Sequence, residues 1–141
     1  MITLMLLLIS SLCYTPSTAF LRQFHRMQVR IAAQHFASDV RKLQQSALFS
    51  NNINDCLTVL TNNEGYYLLQ QGLNQESRTT FEQIGCEGVY FKKKLSSLRF
   101  SEIGSPNITG NYELRHEAEG SFACVLTLQV ASGRLDINET E

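Results

Sequence analysis

The chain opens on an uninterrupted apolar pattern. Residues 1–21 carry no charge, and Leu, Ile and Met fill all but one of the first nine positions. Tyr14, Thr15, Ser17 and Thr18 then dilute the pattern, and Pro16 is expected to kink a helix there. From Phe20 no Gly or Pro occurs until Gly65, while Phe24, Ile31, Phe36, Val40, Leu43 and Ala47 recur at steps of three to seven residues. That spacing predicts an apolar stripe on one long amphipathic helix, with Arg30, Asp39, Arg41 and Lys42 mostly off it. The helix is expected to end near Ser50, Asn51 and Asn52, where short polar side chains compete for backbone hydrogen bonds.

After Asn54 the period shortens. Residues 56–60 and 66–70 read as strands flanking a Gly-containing hairpin loop at 61–65. Short strands are expected at 89–91 and 98–100, on either side of a lysine turn. Tyr112 and Leu114 alternate with polar neighbours. The longest β-prone run is 122–130, with Cys124, Leu126, Leu128 and Val130 on one face, and a turn at 131–133 leads into a last strand at 134–137. The class is α+β: a small antiparallel sheet packed on the amphipathic half of a long N-terminal helix. Residues 1–21 form the apolar segment, 22–50 its amphipathic continuation and 51–141 the β head.

Three readings compete for the apolar segment. A secretory signal would use the small residues Ser17, Thr18 and Ala19 as its cleavage site, yet no basic residue precedes Arg22. A lipoprotein anchor needs a small residue before Cys13, where Leu12 stands. A spanning helix has the required length of about 20 residues. Arg22, Arg26 and Arg30 follow it, the kind of cluster that holds a flanking segment on the cytoplasmic side of a membrane.

Charge and chemistry narrow the function further. A net charge of −1 lacks the basic balance of a phosphate-neutralising protein, so any nucleic-acid contact must come from a local patch. Lys92, Lys93 and Lys94 with Arg99 form the best such patch, and a solvated turn is the plainer reading. Four cysteines lack any CxxC spacing, which disfavours a metal site. Apart from Cys13 in the apolar segment, Cys56, Cys86 and Cys124 allow either one disulfide and one free thiol, or three buried thiols. No nucleophile elbow, phosphate loop or zinc motif occurs, and His25, His35 and His116 are scattered, so neither an enzyme nor a cofactor is expected. Asn107 and Asn138 each start a glycosylation-type triplet, a pattern frequent by chance.

The layout of an apolar-then-amphipathic helix followed by a small antiparallel sheet resembles that of type IV pilins and pseudopilins. Three collinear stretches carry the resemblance: AAQHFASDVRKLQQSA at 32–47, LRFSEIGSPNITG at 98–110 and VLTLQVASGRLDI at 125–137. They resemble, respectively, the end of the pseudopilin helix, a strand followed by a Gly- and Pro-containing loop, and a closing hairpin with a Gly-Arg turn. In this order they are most similar to ComGD-like minor pilins of Gram-positive competence systems, and more distantly to GspH-type minor pseudopilins of type II secretion.

The resemblance implies an assembly subunit. Its apolar helix would hold it in the cell membrane as a single pass, with the head outside, until it joins other major and minor competence pilins in a surface fibre. That fibre would support DNA uptake in transformation, with any DNA contact by this subunit indirect. The family's leader, cut and methylated by prepilin peptidase at a Gly-Phe-Thr-Leu-x-Glu motif, has no counterpart here. Ile2, Thr3 and Leu4 echo it without the Gly or the acidic residue. The expectation is that the sequence starts at an internal methionine, downstream of that motif. Among the cysteines, Cys56 with Cys86 or Cys86 with Cys124 would tie separate strands together. The rival expectations are a small secreted binding domain released after Ala19 and a secretion-system pseudopilin.

Overall fold

A computed structural model of the chain describes residues 2–73 and 75–141; the side chains of residues 11–16, Cys13 among them, lie outside the description. Helix α1 runs from Ile2 to Ser50 as a single element, through Pro16 and the 17–19 segment. At 1.5 Å per residue its length is about 74 Å. It stops where expected. Asn51 turns left-handed with φ of 56°, and the Asn52 amide reaches back to the Ser46 carbonyl at 3.3 Å.

Two antiparallel sheets make the head. The smaller has the order β1 (Cys56–Thr58), β2 (Tyr66–Gln71) and β3 (Gln75–Thr80). The larger has the order β4 (Val89–Lys93), β5 (Gly110–His116), β6 (Glu119–Leu128) and β7 (Leu135–Thr140). A single 3-10 turn, Glu82–Ile84, links β3 to β4. Edge strands and loops stitch the sheets: Leu57 of β1 and Leu98 of the loop after β4 exchange backbone hydrogen bonds at 2.9 and 2.8 Å, and Phe91 of β4 bonds the 63–64 loop at 2.7 and 2.9 Å.

The α+β reading and the hairpin on either side of 61–65 hold, with corrections of detail. Strand β3 was not expected, because its Gln-Glu-Ser-Arg-Thr-Thr sequence has no apolar face; pairing with β2 along its whole length makes it a strand. The lysine turn is instead the exposed end of β4. Lys92 and Lys93 continue the strand past a register shift between Phe91 and Lys93, and Lys94 follows it. Residues 98–100 make isolated bridges rather than a strand, since the Leu98 backbone serves β1 while Phe100 pairs with Pro106. Val130 lies beyond the end of β6 and is exposed.

The core forms where the second half of α1 crosses both sheets. Phe36 sits at its centre, with ring centroids 5.0 Å from Tyr67, 5.2 Å from Phe91 and 4.8 Å from Tyr112, all near edge-to-face. The alternation expected for β5 and β6 places Tyr112, Leu114, Cys124, Leu126 and Leu128 on this face. The Tyr112 hydroxyl is buried there without a hydrogen-bond partner among the described residues, and burial alone raises its pKa. Tyr112→Phe is therefore expected to leave stability unchanged or to raise it by up to about 1 kcal/mol in denaturant titration. A loss of more than about 1 kcal/mol would mean that the hydroxyl is satisfied after all.

Candidate assembly face and its anchor to the head

The amphipathic half of α1 is apolar on two sides. Val29, Ala32, Ala33, Phe36, Ala37, Val40, Leu43 and Ala47 are buried against the sheets. Phe20, Phe24, Met27 and Ile31 follow one another at steps of four, three and four residues and stay 40–69% exposed. The stripe expected from sequence joined these two faces. The step from Ile31 to Phe36 is five residues, which turns about 140° around a helix, so Phe24 and Ile31 point away from the core that Phe36 enters. The outward stripe continues a helix whose Ile2 and residues 4–9 are 54–78% exposed. Exposed apolar side chains in such numbers mark a place where something else packs.

The arginines that flank this stripe are tied down. Arg22 and Arg26 each approach Glu119 of β6 at 3.6 Å, and Arg26 also pairs with Glu141. Arg30 donates from Nε and Nη2 to both carboxylate oxygens of Glu139 on β7, at 2.6 and 3.1 Å. The Arg26 and Arg30 guanidinium groups also cover the Phe122 ring, 5.3 and 5.1 Å from its centroid. The Arg30 hydrogen bond holds the Glu139 carboxyl below its usual range; the Ser121 hydroxyl, then Arg22 and Arg26, do the same for Glu119. Exposed ion pairs of this kind contribute about 0–1 kcal/mol each. Their consequence is geometric: they tie the start of the docked helix to β6 and β7 in the rotation that the buried face sets, with Phe20, Phe24, Met27 and Ile31 outward. The same three arginines that sequence offers as a membrane-topology signal also tie the helix to the sheet.

Deeper in, polar side chains fasten the rest of α1. The Tyr67 hydroxyl donates to Asp39 Oδ2 at 2.5 Å, Lys42 donates to Asp39 Oδ1 at 3.1 Å, and His35 Nδ1 lies 3.0 Å from the same hydroxyl. Burial first, then Asp39, raises the Tyr67 pKa, so this phenol keeps its proton at neutral pH and acts as a strut. Gln44 donates to the carbonyls of Gly104 and Ser132, both at 2.9 Å, joining the helix to two loops. Asp55, just past the helix, accepts the Gly72 amide at 2.7 Å and so ties β1 to the turn after β2. Neither the Asp39–Tyr67 strut nor the arginine clamp could be found by spacing, because each joins residues far apart in the chain.

The other residues singled out from sequence do not form a site. Lys92, Lys93 and Arg99 are exposed. The Arg99 backbone is engaged with Asn107, through the Asn107 side chain at 2.8 Å and its amide at 3.0 Å. Cys56, Cys86 and Cys124 are free and buried, on β1, after the 3-10 turn and on β6, so neither expected disulfide is formed in this structure. Cys56 instead donates to Gln70 Oε1 at 3.5 Å. Burial raises the Cys86 thiol, and burial with help from Glu139 pushes Cys124 up to about 11. These thiols are poor nucleophiles at neutral pH. Among the described residues no three His, Cys, Asp or Glu side chains gather as metal ligands, and no helix is long and apolar enough to cross a membrane. No family model, no curated protein and no solved structure matches the chain.

Proposed function

We propose that the chain is a minor pilin-like subunit of a competence type IV pilus-like fibre, with a structural part in the uptake of external DNA. The observation that carries this reading is the division of labour along α1. One face is consumed by the head core, while an apolar face opposite it, Phe20, Phe24, Met27 and Ile31, stays open on a helix whose residues 4–9 are also exposed and apolar. Such an open face can pack against helices of other subunits. The competence setting comes from the collinear sequence resemblance; the same architecture would serve a secretion-system pseudopilin. The single-pass anchor, the external head and the part played by prepilin peptidase belong to the proposal.

Cell fractionation with shearing of surface fibres tests it. The subunit is expected in the membrane fraction and, after shearing, with the fibres. A soluble form in the medium that starts after Ala19 would support the secreted-domain reading instead. The basic residues give a second, independent check on the part played by this subunit. With a net charge of −1 and the lysines at an open strand end, Lys92→Glu, Lys93→Glu and Lys94→Glu together are expected to leave fibre assembly and transformation intact. Lost DNA uptake with intact fibres would assign this patch a direct grip on DNA.

A further inference from the structure

We propose that His25 and His116 form a pH-dependent latch between α1 and the head, closed at neutral pH and loosened in mild acid. His116 ends β5 and is 6% exposed. Its Nδ1 lies 2.9 Å from the Ala118 amide, and its Nε2 lies 2.9 Å from the Glu87 carbonyl oxygen. An amide can only donate and a carbonyl can only accept. The ring must therefore be neutral, with its single proton on Nε2. Gly88, at φ of 84°, makes room for it: a Cβ there would stand 2.9 Å from two ring atoms. From α1, the His25 ring stacks on it with centroids 4.2 Å apart and planes at 23°.

Protonation attacks this arrangement twice. A proton on Nδ1 faces the Ala118 N–H and breaks that hydrogen bond, and the resulting cation lies against the stacked His25 ring, whose charge opposes it. The other charged groups around the ring are Glu117 beside it in the chain, Glu87 before β4 and Glu119 at the start of β6. Glu119 is already engaged by Arg22 and Arg26. Burial, then His25, holds the His116 pKa below the ordinary histidine value, against the opposing pull of the Glu87 carbonyl and of Glu117 and Glu119. The docked state thus binds fewer protons than the undocked one. Its stability is complete above the ordinary histidine pKa of about 6.5 and is lost as pH falls below it. The arginine clamp rests on carboxylates held below their usual range, so it outlasts the latch, and the loosening is local to the start of the docked helix. The latch does not depend on the assembly reading.

The test is a pH titration of the full-length chain in detergent micelles, with nitrogen-15 histidine and amide labels. At about pH 7.5, His116 is expected as the Nε2–H tautomer with a contact signal between the two rings. As the pH falls to about 5.5 the ring contact should weaken and the Ala118 amide should exchange up to about tenfold faster, after correction for the intrinsic pH dependence. His25→Phe keeps an aromatic ring on His116 but removes the second charge, so it should raise the His116 midpoint and shrink the acid effect. Titration of His116 at or above the ordinary midpoint, unchanged Ala118 protection on protonation, or a His25→Phe profile identical to wild type would each overturn the latch.

Discussion

Phe36→Ala is expected to lower the unfolding free energy by about 3–5 kcal/mol, the range for deleting a large aromatic from a packed core. Phe36 is fully buried, and its ring edges meet Tyr67 from the smaller sheet and Phe91 and Tyr112 from the larger one. These three rings hang on β-strands stitched to each other, so they cannot all collapse into the space left behind. Denaturant titration of the detergent-solubilised protein would read the loss. Phe24→Ala on the same helix makes the comparison sharp: with Phe24 40% exposed, folding should change by less than about 1 kcal/mol, while the proposed assembly, if it uses this face, is weakened. Equal losses of stability at the two positions would contradict the assignment of core and open faces.

Gly133→Ala is expected to be the most damaging loop substitution, at about 2–4 kcal/mol. Gly133 has φ of 63°, and a Cβ there would lie 2.6 Å from both the Gly104 carbonyl oxygen and Gln44 Nε2, and 2.9 Å from the Phe100 ring. The nearest obstacles include backbone and a side chain already committed to two carbonyls. Relief by movement would therefore break the Gln44 bonds that hold the end of α1 to both loops. Gly72→Ala supplies the control. Its φ of 66° is nearly the same but its Cβ would meet nothing within 4 Å, so only the backbone cost of about 1–2 kcal/mol applies. Thermal unfolding of the two variants side by side separates crowding from strain, and equal shifts would refute the close approach at Gly133.

How far the fold was readable depended on how local its causes are. The end of α1 and the β1–β2 hairpin follow from Asn51 and from the Gly65 loop, within a few residues of the features they explain. The alternation in β5 and in β6 from Cys124 onward was visible because one face of that sheet is buried there and the other is only partly so. Strand β3 was invisible because nothing in Gln75–Thr80 is apolar and only its partner strand defines it. The stripe of α1 was blurred because Phe24 and Ile31 are apolar for one surface and Phe36 and Val40 for another, and composition does not distinguish two partners of the same chemistry. Of the candidate assembly face, the apolar residues themselves were legible. The clamp beside them was not, since Arg22 meets Glu119 and Arg30 meets Glu139 only after the whole sheet has formed.

The exposed stripe of α1 is the central claim, and site-specific photo-cross-linking tests it most directly. If the proposed assembly is right, a photoreactive phenylalanine analogue at Phe20 or Phe24, in cells that make the fibre, is expected to join this chain to a helix of a different subunit. The same probe at Phe36 should give only cross-links within the chain. Efficient intermolecular capture from Phe36, or none from Phe20 and Phe24 in cells whose fibres contain the protein, would contradict the account.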